Sequence, residues 1–311
     1  MESKKKIIFY IDWTDCLAHL TGDNAYAEGD TDEDKRNYTR RQVNHFFKAL
    51  KNLQNYYDVD IHCITGGTRE YLNGDGHGWI SLIHELFESA GCSDVFKSVV
   101  TEYGGDMLIG KNCDFLERDF EDARAFCTNK MLDDIRKTLP DEIVDKVELS
   151  LCKYYANVRF EKEDMTEEEF NYYYSLIKSF KNSDAYSIYP YYCPGYGVEM
   201  DILPNGFDKT RAVSSINSVF YDASSREDIA LSVFNGDFSQ IDLRMVDESL
   251  SDNVLFVGSE DADIKPYVQD SELSYRTVGH KIEAISMAME EIAAKGMDLS
   301  SYNKGGYRYA K

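Results

Sequence analysis

The run Ile7-Ile8-Phe9-Tyr10-Ile11 is apolar at every position and stops on Asp12. A strand with one wet face alternates apolar and polar residues, whereas an unbroken run suits a strand covered on both faces of a parallel sheet. Related runs recur. Residues 59–64 are β-prone and stop on Thr65-Gly66-Gly67-Thr68, and residues 95–101 stop near Tyr103-Gly104-Gly105. Residues 229–234 stop on Asn235-Gly236-Asp237, and residues 254–257 on Gly258. Helical spacing separates them: Val43, Phe46, Phe47, Leu50 and Leu53; Ile80, Ile83, Leu86 and Phe87, closed by Gly91; Ala212, Val213, Ile216, Val219 and Phe220; Ile282, Ile285, Met289 and Ile292, ended by Gly296. Strand and helix in alternation imply right-handed crossovers and a parallel α/β sheet. Residues 20–38 read as an acidic, turn-rich loop, and the tail 303–311 as frayed.

The middle of the chain breaks this alternation. Residues 122–139 and 166–180 read as helices, the second opening with the capping box Thr166-x-x-Glu169. An extended segment, 147–160, lies between them, and tyrosines cluster after them at Tyr186, Tyr189, Tyr191, Tyr192 and Tyr196. The pattern predicts an α+β module, residues 112–204, inserted into a core made of 1–111 and 205–311.

Charge narrows the partners. Against 34 Lys+Arg stand 56 Asp+Glu, a net charge of −22. Such a surface repels phosphate backbones and anionic lipid, so neither nucleic acid nor membrane is expected as a partner. No apolar run approaches the ~18 residues that span a bilayer, and the stretch 7–11 is too short for a signal peptide. The seven cysteines are odd in number and never spaced as CxxC. That usage fits a reducing cytoplasm better than a disulfide framework or a zinc knuckle.

In open α/β sheets ligands bind at the carboxyl ends of strands. Those ends carry Asp12, Thr65 and Gly236-Asp237, with Lys209 opening a helix. An aspartate can attack phosphorus, a hydroxyl and a lysine can hold phosphoryl oxygens, and further carboxylates can hold a hard cation such as Mg²⁺. Plainer readings exist for each: loop capping for Asp12, helix capping for Asp237 and Asp242, a solvated first-turn lysine for Lys209.

In order along the chain, these residues resemble the motifs of the haloacid-dehalogenase-like (HAD) phosphatases. The likeness is to the Cof-like sugar-phosphate phosphatases, whose cap is inserted between the second and third motifs. The family's D-x-D-G-T resembles Asp12-Trp13-Thr14-Asp15-Cys16, and its Ser/Thr-Gly resembles Thr65-Gly66 with Arg69 behind. The E-N-G-A turn resembles Glu102-Tyr103-Gly104-Gly105, and the strand, proline and lysine resemble residues 198–204 followed by Lys209. The closing G-D with a trailing Asp resembles Gly236-Asp237 with Asp242, and a last loop resembles Gly258 with Lys265. The resemblance implies a Rossmann-like parallel-sheet core with an α+β cap. It implies Asp12 as nucleophile, Thr65, Gly66 and Lys209 as phosphate-binding residues, and Mg²⁺ held by Asp12, the Thr14 carbonyl, Asp237 and Asp242. The substrate would be a small phosphorylated metabolite.

Thr14 departs from the motif, standing where the family carries its acid/base aspartate. A threonine hydroxyl does not titrate near pH 7, and general acid–base catalysis is worth about 10²–10⁴-fold. The resemblance with this departure implies slow hydrolysis of an aspartyl-phosphate, or a phosphotransferase, or a fold that binds a phosphorylated metabolite or partner without turning it over.

Overall fold

Strand β1 (Lys6–Asp12) lies in the middle of a nine-stranded sheet in the computed structural model of the chain. The structure describes residues 4–12, 32–67, 95–109, 114–116, 137, 141, 147–151, 155–160, 166–169, 171–172, 175, 186–193, 197–236, 241–258, 273–277, 282–296, 298–303 and 308–310. The elements that follow β1 are α1 (Asp32–Leu53), β2 (Asp58–Ile64), β3 (Ser98–Thr101), β4 (Asp106–Ile109), β5 (Asp114–Leu116), β6 (Val147–Leu151) and β7 (Ala156–Phe160). Then come β8 (Tyr186–Cys193), β9 (Gly197–Pro204), α2 (Lys209–Phe220), β10 (Ile229–Asn235), β11 (Val254–Gly258), β12 (Ser274–Thr277), α3 (Ile282–Lys295) and β13 (Arg308–Ala310).

The chain forms two compact units, Met1–Leu116 with Lys209–Lys311, and Glu117–Asp208. In the first, the strand order is β13-β12-β11-β10-β1-β2-β3-β4-β5. Every pair from β13 to β3 is parallel, while β4 and β5 run antiparallel. The chain leaves β1 toward β2 and β3, then returns on its other side through β10 and β11. Strand order therefore reverses beside β1, which makes its carboxyl end the topological switch point.

Burial explains the unbroken run. Ile7, Phe9 and Ile11 join a core with Val43, Phe46 and Leu50 of α1 and Ile285, Met289 and Ile292 of α3. Ile8 and Tyr10 join a second core with Ala212, Val213 and Ile216 of α2. Both faces of β1 are dry.

On the α2 side a polar island is buried in β2. His62 Nδ1 lies 2.7 Å from Ser98 Oγ, and Nε2 lies 2.7 Å from the Tyr221 hydroxyl. Tyr221 donates its one proton to Asp60, 2.9 Å away, and Lys97 also donates to Asp60. His62 Nε2 must then be the donor to Tyr221, which makes this imidazole the neutral Nε2–H tautomer. Burial pushes its pKa down to about 3, against the pull of Asp60.

The second unit holds an antiparallel sheet, β6-β7-β9-β8. Its strand β7 alternates buried and half-buried residues, with Ala156, Val158 and Phe160 inward. Asn157 donates to Asp201 across the β7–β9 pair at 2.8 Å. The capping box is formed, Thr166 N–H donating to Glu169 and Glu169 N–H to Thr166 Oγ1.

Several boundaries differ from the sequence reading. The units divide at 117 and 208 rather than 112 and 204, because β5 pairs with β4 and belongs to the large sheet. Helix α1 begins at Asp32, inside the stretch read as loop, since Asp32-Glu33-Asp34 favour the positive end of the helix dipole. Val95 and Phe96 pack on the core ahead of β3 rather than in its ladder. Residues 147–160 fold back as the antiparallel β6–β7 pair. The tail read as frayed contains β13, parallel to β12. The helix read at 80–87, that read at 122–139 apart from Lys137, and Gly91 and Tyr196 lie outside the described residues. No helix among the described residues is long and apolar enough to cross a membrane.

Candidate active site

Asp12 ends β1 at the switch point, level with Ile64 of β2, and is 1% exposed. Lys209, first residue of α2, is 4% exposed and Asp242 is fully buried. The Lys209 ammonium lies 2.7 Å from Asp12 Oδ1 and bonds Asp242 Oδ1 as well. A cation in the first turn of a helix opposes the dipole, so this lysine is held by its carboxylates and not by helix propensity. Burial acts to lower its pKa, but Asp12 and Asp242 outweigh it and hold the ammonium well above the ordinary lysine value.

The plainer readings of two residues do not survive. A first-turn lysine this buried is not a solvated one. Asp242 precedes the 3-10 turn Leu243–Met245, yet its side chain makes no capping bond there. It packs instead against Gly236, where an added Cβ would come within 2.6 Å of Asp242 Oδ2.

At the neighbouring strand end, Thr65 Oγ1 accepts a hydrogen bond from Gly67 N–H at 3.0 Å. Accepting uses a lone pair and keeps the hydroxyl proton as a donor. Thr65 N–H itself donates to Val100 O at 2.8 Å, which ties the loop to β3. The turn after β3 runs through Glu102 (φ 48°), Tyr103 (φ 55°) and Gly104 (φ 97°), left-handed three times in succession. Glu102 and Tyr103 are both buried. Resemblance pointed to this turn, but neither its backbone nor its neighbours were readable from sequence.

Asp12, Lys209 and Asp242 therefore converge, with Thr65 and Gly66 closing the adjacent strand end. Thr14, Asp15, Cys16, Arg69, Asp237 and Lys265 lie outside the described residues. The switch-point aspartate held by a buried lysine, and the insertion between Thr65-Gly66 and Lys209, together decide the architecture. The fold is an open, mostly parallel α/β sheet with an inserted antiparallel unit.

A hard divalent cation at this position needs hard oxygen donors. Among the described residues no group of three His, Cys, Asp or Glu side chains is placed to hold a metal, and the Asp242 carboxylate is engaged by Lys209. The donor chemistry still fits Mg²⁺. Asp12 and Asp242 are carboxylates, the hard oxygen donors that Mg²⁺ takes.

No protein-family model and no curated protein sequence matches the chain. Among solved structures it is similar to the haloacid dehalogenase-like hydrolase yhjK of Bacillus subtilis, at 11% identity over 93% of this chain and 92% of that one, TM-score 0.45. It is similar to trehalose-6-phosphate phosphatase of Aspergillus fumigatus, at 10% identity over 94% of each chain, TM-score 0.43. It is also similar to the C-terminal domain of the trehalose synthase regulatory protein of Candida albicans, at 10% identity over 93% of this chain and 94% of that one, TM-score 0.46.

Proposed function

We propose that the chain is a Mg²⁺-dependent phosphohydrolase that forms an aspartyl-phosphate on Asp12 and acts on a small phosphomonoester. The observation that supports this most is the buried contact of Asp12 with Lys209 at the switch point of the sheet. An Asp12 oxygen attacks phosphorus in line and the bond from phosphorus to the ester oxygen breaks. The leaving alkoxide takes a proton from solvent. Water then attacks the same phosphorus and gives a proton back to solvent, the bond to Asp12 breaks, and inorganic phosphate leaves.

Lys209 carries a fixed positive charge through both steps and offsets charge that develops on the phosphoryl oxygens. Asp242 keeps that ammonium in place. The Thr65 hydroxyl and the loop through Gly66 bind phosphoryl oxygens. Mg²⁺, held by Asp12, the Thr14 carbonyl, Asp237 and Asp242, would supply further stabilisation of that charge. Thr14 provides no titrating group, so proton transfer to the leaving group and from water is the slow part of the cycle. The inserted unit, Glu117–Asp208, serves to select the substrate, and the protein works in the cytoplasm.

A second reading follows from Thr14 and Cys16: a phosphotransferase, or a binder of phosphorylated metabolites. Turnover of a panel of phosphorylated sugars and nucleotides, with and without Mg²⁺, separates these readings. Release of phosphate by wild type and none by Asp12→Asn is the expected result. A phosphorylated protein without release points to transfer, and neither result at any substrate removes the enzymatic reading.

A further inference from the structure

We infer that Tyr103 is a positioning residue: its left-handed turn clasps the Thr65–Gly67 loop on one side and abuts α2 on the other. The turn thereby fixes the phosphate-binding loop relative to Lys209. This deepens the phosphohydrolase reading above and rests on it.

The backbone supplies the first support. A bulky residue at positive φ is an outlier, and here two consecutive non-glycine residues, Glu102 and Tyr103, adopt it. Their amides are the ones that reach the loop. Glu102 N–H donates to Gly67 O at 3.1 Å and Tyr103 N–H to Thr65 O at 3.3 Å. The tight passage from β3 to β4 accounts for a turn but not for a tyrosine in it, since glycine or asparagine adopts this conformation more readily.

The side chain supplies the second. Gly66 does not have a positive φ, so its backbone does not require glycine. Its neighbour does. A Cβ at Gly66 would sit 2.5 Å from both Cζ and the hydroxyl oxygen of Tyr103. The tip of the Tyr103 ring thus fills the space beside the residue that follows Thr65. On the other side of the turn, a Cβ at Gly104 would lie 3.0 Å from Ala212 N and 3.2 Å from Arg211 Cγ. Those residues follow Lys209 in the first turn of α2. One strained turn is therefore packed between the two groups that would grip a phosphoryl oxygen.

A double-mutant cycle between Gly66→Ala and Tyr103→Asn tests this, with thermal melting and calorimetric binding of inorganic phosphate in Mg²⁺ as readouts. Asparagine tolerates the left-handed backbone while removing the ring. Gly66→Ala should lower the melting temperature by ~4 °C or more in the wild-type background and by less than half of that beside Tyr103→Asn. Tyr103→Asn alone should weaken phosphate binding ~10-fold, as misplacement of a binding group does. Tyr103→Phe, which keeps the ring, should bind phosphate as wild type does. An equal cost of Gly66→Ala in both backgrounds, or wild-type phosphate affinity in Tyr103→Asn, overturns the inference. So does a Tyr103→Phe loss as large as that of Tyr103→Asn. Wild type that binds no phosphate overturns the phosphohydrolase reading instead, and the melting cycle still decides whether Tyr103 holds the loop.

Discussion

Gly236 and Asp242 touch so closely that a methyl group on the glycine would overlap the aspartate, with Oδ2 only 2.6 Å from the added carbon. The absence of a side chain at 236 is what lets Asp242 reach Lys209. Gly236→Ala should push the carboxylate away from the ammonium, at an overpacking cost of about 1–3 kcal/mol, and lower phosphate release as well. A thermal melt and a turnover assay check both. A variant that melts and turns over like wild type would sever the link between this contact and the site.

Removing the cation is a harsher experiment. Lys209→Met leaves Asp12 and Asp242 buried without their shared partner, which costs about 3–5 kcal/mol. In wild type the lysine pKa is raised, so its contribution is complete below the ordinary value of about 10.4 and is lost only as pH rises above it. The variant should behave otherwise. Its paired carboxylates repel, so protonation relieves them and its deficit relative to wild type should shrink as pH falls from 7 to 5. Chemical denaturation of both proteins at these two pH values measures the effect, and a constant deficit would contradict it.

Thr14→Asp should supply the acid and base that the proposed cycle lacks. Phosphate release should rise at least ~10-fold, the lower part of the general-acid range. Steady-state kinetics at saturating substrate is the measurement. Unchanged or lower turnover would assign the proton transfers to another group, with Asp15 the nearest in sequence.

His62 sets the acid limb of the stability profile. Its folded-state pKa of about 3 lies below the unfolded value of 6.5, so the unfolded chain binds the extra proton between those values. Stability should therefore fall as pH drops from about 6.5 toward 3, by up to about 5 kcal/mol at 1.36 kcal/mol per unit. His62→Gln, which does not titrate, should flatten that limb. Urea midpoints across this range would show it, and equal slopes for the two proteins would refute it.

The sequence made the centre of the sheet legible because both faces of β1 are buried, which removes alternation, and because α2 and α3 show one dry face each. Asp12 and Lys209 could be nominated since each sits at an element boundary, and Asp242 through the resemblance of its spacing behind Gly236-Asp237. The rest depends on neighbours distant in the chain. Strands β12 and β13 are too short to carry a period, and Arg276 of β12 is buried in an ion pair with Glu291 of α3. The left-handed backbone at Tyr103 is set by the loop it clasps, and tyrosine gives no local sign of it. The shared bonding of His62, Tyr221 and Asp60 joins β2 to the end of α2, a contact that no window of sequence contains.

The distance along the chain between Asp12 and its partners has a consequence for biosynthesis. Strand β1 leaves the ribosome well before Lys209 and Asp242, which follow roughly 200 residues later, or some 10–40 s at ordinary elongation rates. Until then β1 has no β10 beside it, and the burial that defines the site does not exist. The insertion, a compact unit of its own, is translated in that interval. Closure of the parallel sheet by β10 must therefore be late and non-local, the step that contact order makes slow. A stalled nascent chain ending before residue 209 carries its candidate nucleophile on an unpaired strand edge, exposed to chaperones and to aggregation.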